Sequence, residues 1–266
     1  MRESSSIAMT ASLEHPVPGP EFTDVDQALS RQQIEVAIDL VDSYAHGSDV
    51  RGITQQGGRA VLHVGCGDYH PTKLPPMFRQ KAWREIRLDI DPDVRPDFVE
   101  SITDMRSISD CMVDAVYSSH NIEHLYPHEV TLALQEMHRV LKPEGVIFIV
   151  APDVQEVARH VAEGKLEDML YLSTMGPIAA LDVLYGHRGS LARGHAFMAH
   201  HTGFTGGTLA AALVGAGFAA VLLQRNPTAF SLTAVAFRSE PGRDEIAAAQ
   251  AQFVPDLPCV LYTPLP

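Results

Sequence analysis

From Arg59 onward, short apolar runs of strand length alternate with stretches of helical period, and few folds satisfy that alternation. Arg59-Ala-Val-Leu-His-Val-Gly65 is a β-branched run stopped by glycine. Glu85-Ile-Arg-Leu-Asp89 and Val113-Asp-Ala-Val-Tyr-Ser-Ser119 read as further strands, Phe98-Val99 opens another, and Val146-Ile-Phe-Ile-Val150 is apolar throughout. Runs of this kind are buried on both faces, as in parallel sheets. Val130, Leu134, Met137 and Leu141 form one stripe of a helix from Pro127 to Leu141, and Pro127 suits its first turn. A second helix runs from beyond Pro152 to about Glu163. The pattern predicts βαβ units, hence an α/β fold with a mostly parallel sheet and helices on both faces. After a helix closed by Gly215-Ala-Gly217, the short connection between the strands Phe218 to Leu223 and Ser231 to Phe237 favours an antiparallel pair.

The 266 residues accommodate one such domain with additions. The expected organisation is a flexible leader at 1–22, an N-terminal helical lid at 23–57, a main domain at 58–238 with a histidine-rich insertion at about 164–205, and a tail at 239–266. The net charge of −13 leaves no basic face to neutralise phosphates, so no nucleic-acid partner is expected. Three separated cysteines without a C-x-x-C pair suit a reducing, cytoplasmic setting. The N-terminal residues lack the apolar stretch of a secretory signal, and the longest apolar run, Leu209 to Leu223, is too short for a span, so no membrane role is expected.

Gly65-Cys66-Gly67-Asp68 follows a strand directly, so the backbone can turn sharply and present N–H groups to a ligand. A nucleotide or a carboxylate suits such a turn. His70 and Pro71 stand where a dinucleotide fingerprint requires its third glycine, which disfavours a nicotinamide or flavin. Asp89 ends the second strand 22 residues beyond Gly67, where a carboxylate can accept both hydroxyls of a ribose, with Ile90 beside it. Asp104 can accept a hydrogen bond from an adenine amino group, and Met105 offers apolar contact beside the ring.

Val61-Leu-His-Val-Gly-Cys-Gly67, Leu88-Asp-Ile-Asp-Pro92, Asp104-Met105, Asp114-Ala-Val-Tyr-Ser-Ser-His-Asn-Ile-Glu-His-Leu125 and Arg139-Val-Leu-Lys-Pro-Glu-Gly145 together resemble class I S-adenosylmethionine-dependent methyltransferases over about residues 58–238. The resemblance implies a Rossmann-like seven-stranded sheet with an antiparallel last strand. It places S-adenosylmethionine against Gly65, Cys66 and Gly67 at the methionine moiety, Asp89 at the ribose, and Asp104 and Met105 at the adenine. His63 stands where the family carries an acidic residue toward the cofactor amino group, and Glu144 replaces a glycine of the usual Pro-Gly-Gly turn.

Methyl transfer from a sulfonium needs the acceptor placed in line and, for a hydroxyl, its proton removed. Ligands of open α/β sheets bind at the carboxyl ends of strands, here Ser118 to His124. His120 and His124 are candidate general bases, Ser118 and Ser119 border the cofactor, and Asn121 can orient an acceptor. From the insertion, Arg188, His195 and His200 are candidate substrate contacts, Arg188 for an anionic group. His200 and His201 are adjacent without a second spaced pair, so no metal is expected. The reading is methyl transfer to a small-molecule acceptor, a hydroxyl. A nicotinamide-dependent oxidoreductase and a cofactor-binding protein without turnover are the alternatives.

Overall fold

The computed structural model describes residues 58–255 and 258–264. The expected leader and helical lid, residues 1–57, lie outside the described residues. Ten strands form: β1 (Arg59–Val64), β2 (Trp83–Asp89), β3 (Phe98–Val99), β4 (Val113–Ser119), β5 (Leu141–Pro152), β6 (Met169–Ser173), β7 (Gly176–Ala179), β8 (Ala220–Asn226), β9 (Ser231–Phe237) and β10 (Cys259–Tyr262). The helices are α1 (Pro127–Val140), α2 (Val154–Ala162), α3 (Ala180–Tyr185), α4 (Arg188–Ala192), α5 (Gly206–Gly215) and α6 (Arg243–Phe253).

Eight strands make one sheet in the order β10-β8-β9-β5-β4-β1-β2-β3. β3, β2, β1, β4 and β5 run parallel, and β9 is antiparallel to both β5 and β8. This is the Rossmann-like α/β arrangement, with one strand more than seven. The added strand, β10, comes from the proline-rich tail and pairs antiparallel with β8. It covers an edge that would otherwise present unpaired backbone groups.

Alternation along each strand feeds two cores. Leu62 and Val64 of β1 face α1 and α5 through Leu134, Met137, Leu209 and Leu213, while Val61 faces Phe78, Tyr117 and Phe148, with Ala249 and Phe253 of α6 on the same side. Each fully buried aliphatic side chain contributes roughly 1.5–3 kcal/mol of burial. Helices on both faces thus hold the strands rigid and leave their carboxyl ends at one rim.

The 164–205 segment is not irregular throughout. β6 and β7 form a hairpin, and Val157, Ile178, Ala180, Val183 and Phe230 close a third, smaller core beneath it. α2 leads into this layer from Asp153, whose carboxylate accepts the N–H groups of Gln155 and Glu156 as an N-cap. The insertion is thereby seated over the ends of β4 and β5.

Candidate active site

β1 runs directly into a loop containing Gly65 and Gly67, with φ of +61° and +56°. A Cβ at Gly65 would fall on the Asn121 amide, and one at Gly67 would lie 2.7 Å from the Lys73 ammonium. Only glycine keeps this turn open. The Gly67 N–H donates to Asp89 Oδ2 at 2.7 Å, and the Asp91 N–H donates to Asp89 Oδ1 at 3.0 Å. Asp89 is therefore fixed while its carboxylate retains acceptor capacity. Lys73 donates from Nζ to the Cys66 carbonyl at 2.8 Å, bringing a cation to the loop. Beneath it the buried Arg87 guanidinium donates to the carbonyls of Gly67, Val94 and Arg95, tying the loop to the turn after β2. Cys66 is buried, and that burial pushes its thiol up to about 12, so it is neither thiolate nor nucleophile.

Ile90 is 49 % exposed at the end of β2, an apolar surface directly beside Asp89. His63 is buried, and its Nδ1 lies 2.6 Å from Glu85 Oε1, so the neighbouring strand brings a carboxylate to this side chain. Asp104 is exposed and its carboxylate is engaged by Arg106, which holds its carboxyl below the usual range. Met105 is a core side chain with no exposed surface, and its N–H donates to Glu136 Oε2 at 2.8 Å. It does not reach the rim as an apolar side-chain contact would. Ser118 is fully buried with its hydroxyl unpartnered, and Ser119 sits half-buried at the strand end.

Beyond β4 the chain turns through His120, whose φ of +50° is left-handed. Asn121 packs on Gly65, with an unpartnered buried Nδ2. The next turn, Ile122–His124, carries Glu123 and His124 into a cavity of about 140 Å³, which His120, Tyr171, Asp182, His187 and His200 also line. His124 donates from Nδ1 to the Ala199 carbonyl at 3.0 Å, and His200 from Nδ1 to the Val183 carbonyl at 2.8 Å. Both imidazoles, when neutral, then hold their lone pair on Nε2. Burial depresses His200, keeping it in that neutral form. For His120, half-exposed, burial disfavours the charge, but Glu123, with Oε1 at 3.4 Å from Nδ1, outweighs it and raises the pKa.

The cavity thus gathers His120, His124 and His200 from segments far apart in sequence. It does not gather the other two insertion candidates. The Arg188 Nε donates to Asp182 Oδ1 at 2.9 Å, so its charge is held by an internal carboxylate rather than free for an anionic substrate. His195 is exposed and does not line the cavity. His201 turns away to stack on Tyr126 with centroids 4.1 Å apart. Sequence reasoning gave no role to Lys73, Arg87, Glu123 or Asp182. Glu123 carried a signal in its place between the histidines, whereas Lys73 and Asp182 carried none.

Residues 62–149 match the family model described as a methyltransferase domain. No curated protein matches the chain. Among solved structures, the chain is similar to the 1,6-didemethyltoxoflavin-N1-methyltransferase of Burkholderia thailandensis, solved with its substrate and S-adenosylhomocysteine, at 17 % identity and a TM-score of 0.44, over 82 % of this chain and 94 % of that one. It is similar to a methyltransferase of Methanosarcina mazei at 15 % identity and a TM-score of 0.46, over 76 % and 98 %. An O-methyltransferase family protein of Burkholderia thailandensis matches at 14 % identity and a TM-score of 0.47, over 79 % of this chain and 58 % of that one. The segment 62–149 that matches the methyltransferase-domain model contains the glycine loop, Asp89 and the Ser118 to His124 turn.

Proposed function

We propose that the protein transfers a methyl group to a hydroxyl of a small molecule seated in the cavity between the Ile122–His124 turn and the 164–205 segment. The observation that carries this is the His124 tautomer: with Nδ1–H held by the Ala199 carbonyl, Nε2 presents a lone pair to the cavity. A hydroxyl placed there can lose its proton to that nitrogen as the methyl arrives. His120, which lines the same cavity, is the second candidate base, whereas Asn121, expected to orient the acceptor, packs on Gly65 instead.

The cofactor fits the residues present. Gly65 and Gly67 form a cradle that a Cβ would fill, and the buried Asn121 Nδ2 lacks a partner beside it. Gly65, Cys66 and Gly67 would take the amino-acid end, with Lys73 suited to its carboxylate and His63 with Glu85 below the loop. Asp89 would accept the ribose hydroxyls, Ile90 would cover one face of the base, Asp104 would lie at the amino edge, and Ser118 and Ser119 would border the sulfonium. When bound, the cofactor supplies an electrophilic methyl. The chain supplies placement, a proton acceptor and exclusion of water.

A cavity of about 140 Å³ suits an acceptor of few atoms, because sites for drug-sized ligands usually run to roughly 300–1,000 Å³. The net charge of −13 supports a substrate other than nucleic acid. Among the described residues no helix is long and apolar enough to cross a membrane.

Calorimetry with S-adenosylmethionine, S-adenosylhomocysteine, NADH and NADPH tests the cofactor; binding of a nicotinamide alone sinks the reading. Mass spectrometry of a small-molecule library after turnover names the acceptor. Products methylated only on nitrogen or carbon reject the hydroxyl assignment, and unchanged turnover in both His120→Ala and His124→Ala rejects the bases.

A further inference from the structure

Glu123 is 1 % exposed, and among the described residues neither of its carboxylate oxygens has a hydrogen-bond partner. A buried carboxylate left so is costly, and such groups in native proteins are paired or bind a cation. His120 approaches Oε1 at 3.4 Å as an ion pair without hydrogen-bond geometry, which leaves Oε2 the less satisfied of the two oxygens. Two imidazoles complete the surroundings. One oxygen of Glu123 and one ring nitrogen each of His124 and His200 lie within 4.8 Å of one another.

We propose that Glu123, His124 and His200 hold a divalent transition-metal ion of the zinc class. The tautomers argue for it. Metal-ligating histidines almost always donate their other ring N–H to a carboxylate or backbone carbonyl, which fixes the ring and raises ligand basicity. Here both do: His124 to the Ala199 carbonyl and His200 to the Val183 carbonyl. Ala199 immediately precedes His200, so the His124 ring steadies the segment that carries the second imidazole. His201, beside it, is withdrawn onto Tyr126 and takes no part.

Two histidines and one carboxylate are a three-ligand set that leaves coordination positions open, as at catalytic rather than structural zinc sites. Tetrahedral coordination at about 2.0–2.1 Å sets ligand atoms roughly 3.4 Å apart, so side-chain rotations must draw the trio together by somewhat more than 1 Å. Because all three residues line the cavity, an ion held there would be able to polarise an acceptor hydroxyl. With its Nε2 lone pair on the ion, His124 would be a ligand in place of the base role given it above, and His120 would be the remaining candidate base. The metal site stands on these three residues whatever the acceptor proves to be.

The test is a titration of chelator-stripped full-length protein with cobalt(II) chloride, followed by visible absorption. One equivalent is expected to develop a d–d band that zinc abolishes. His124→Asn and His200→Asn are each expected to weaken binding by more than about 100-fold, beyond the effect of losing a supporting contact. His128→Asn, on exposed α1 surface, leaves it unchanged. If these variants do not fold, X-ray absorption on the zinc-loaded wild-type protein reads the ligands directly, and a shell containing two imidazoles is expected. No stoichiometric binding of cobalt or zinc, binding that survives His124→Asn with His200→Asn, or a shell without imidazole overturns the proposal.

Discussion

The carboxylate of Asp89 accepts the Gly67 N–H at 2.7 Å, joining the end of β2 to the glycine loop at the end of β1. One side chain therefore shapes the loop and offers itself to a ribose. Asp89→Ala is expected to weaken S-adenosylhomocysteine binding by about 10–100-fold, the worth of one or two charge-assisted hydrogen bonds. Asp89→Asn should fall between, since its single carbonyl oxygen cannot serve both the loop and the ligand. Calorimetry separates the three proteins, and equal affinities would remove Asp89 from the cofactor site.

Gly65 bears two constraints, a positive φ and the Asn121 amide where a Cβ would stand. Gly164, with φ of +80°, bears the first alone, since nothing lies within 4 Å of its Cβ position. Gly164→Ala is expected to cost about 1 kcal/mol and Gly65→Ala about 2–3 kcal/mol. The excess should shrink when Gly65→Ala is combined with Asn121→Ala, which removes the clash. Urea unfolding of the wild type, Gly65→Ala, Asn121→Ala and the double variant measures this coupling, with Gly164→Ala as the reference, and additive costs would show that Asn121 does not crowd the loop.

The parallel strands were legible because burial on both faces leaves a largely apolar run, continuous in Ile147 to Ile149 and interrupted only by the buried His63 in Val61 to Val64. β10 was not. Val260 and Leu261 are 53 % and 46 % exposed, so no face of Cys259–Tyr262 imprints a period, and its pairing with β8 is decided by an open edge far away in sequence. The same holds at the site. Gly65, Gly67 and Asp89 are set by local turns and strand ends, and their spacing survives in the sequence. The meeting of His124 with His200 depends on the path of the insertion, 75 residues separating His124 from the Ala199 carbonyl that orients it. Arg188 shows the opposite failure: its charge is visible in sequence, whereas the Asp182 that consumes it is visible only in space.

Asp182 ties α3 to α4. Burial opposes its charge, but the Arg188 guanidinium and the N–H groups of Ala179 and Arg188 outweigh that and bring its pKa down to about 2, from an ordinary 3.8. A carboxyl depressed on folding stabilises the protein above its unfolded pKa, and that contribution is lost as the pH falls through the folded one. Wild-type protein is therefore expected to exceed Asp182→Asn by up to about 2 kcal/mol at neutral pH. The difference should vanish between pH 3.8 and about 2. Urea midpoints across that range check the sign, and a gap that widens on acidification would contradict it.

Cys66 and Cys111 offer an internal comparison of thiols, one buried in the glycine loop and the other exposed. Alkylation requires the thiolate, and a thiol pushed up to about 12 supplies almost none at pH 8. Iodoacetamide is expected to label Cys111 and spare Cys66, with Cys66 becoming reactive only in denaturant. Peptide mass spectrometry at timed quenches gives both rates from one sample. Because the Cys66 N–H bonds the Leu88 carbonyl at 3.2 Å and its own carbonyl accepts from Lys73, access to the sulfur requires the loop to open. S-adenosylhomocysteine should slow even the residual labelling of Cys66 and leave Cys111 unaffected. Equal labelling of the two thiols in the native protein would mean that the loop does not enclose Cys66.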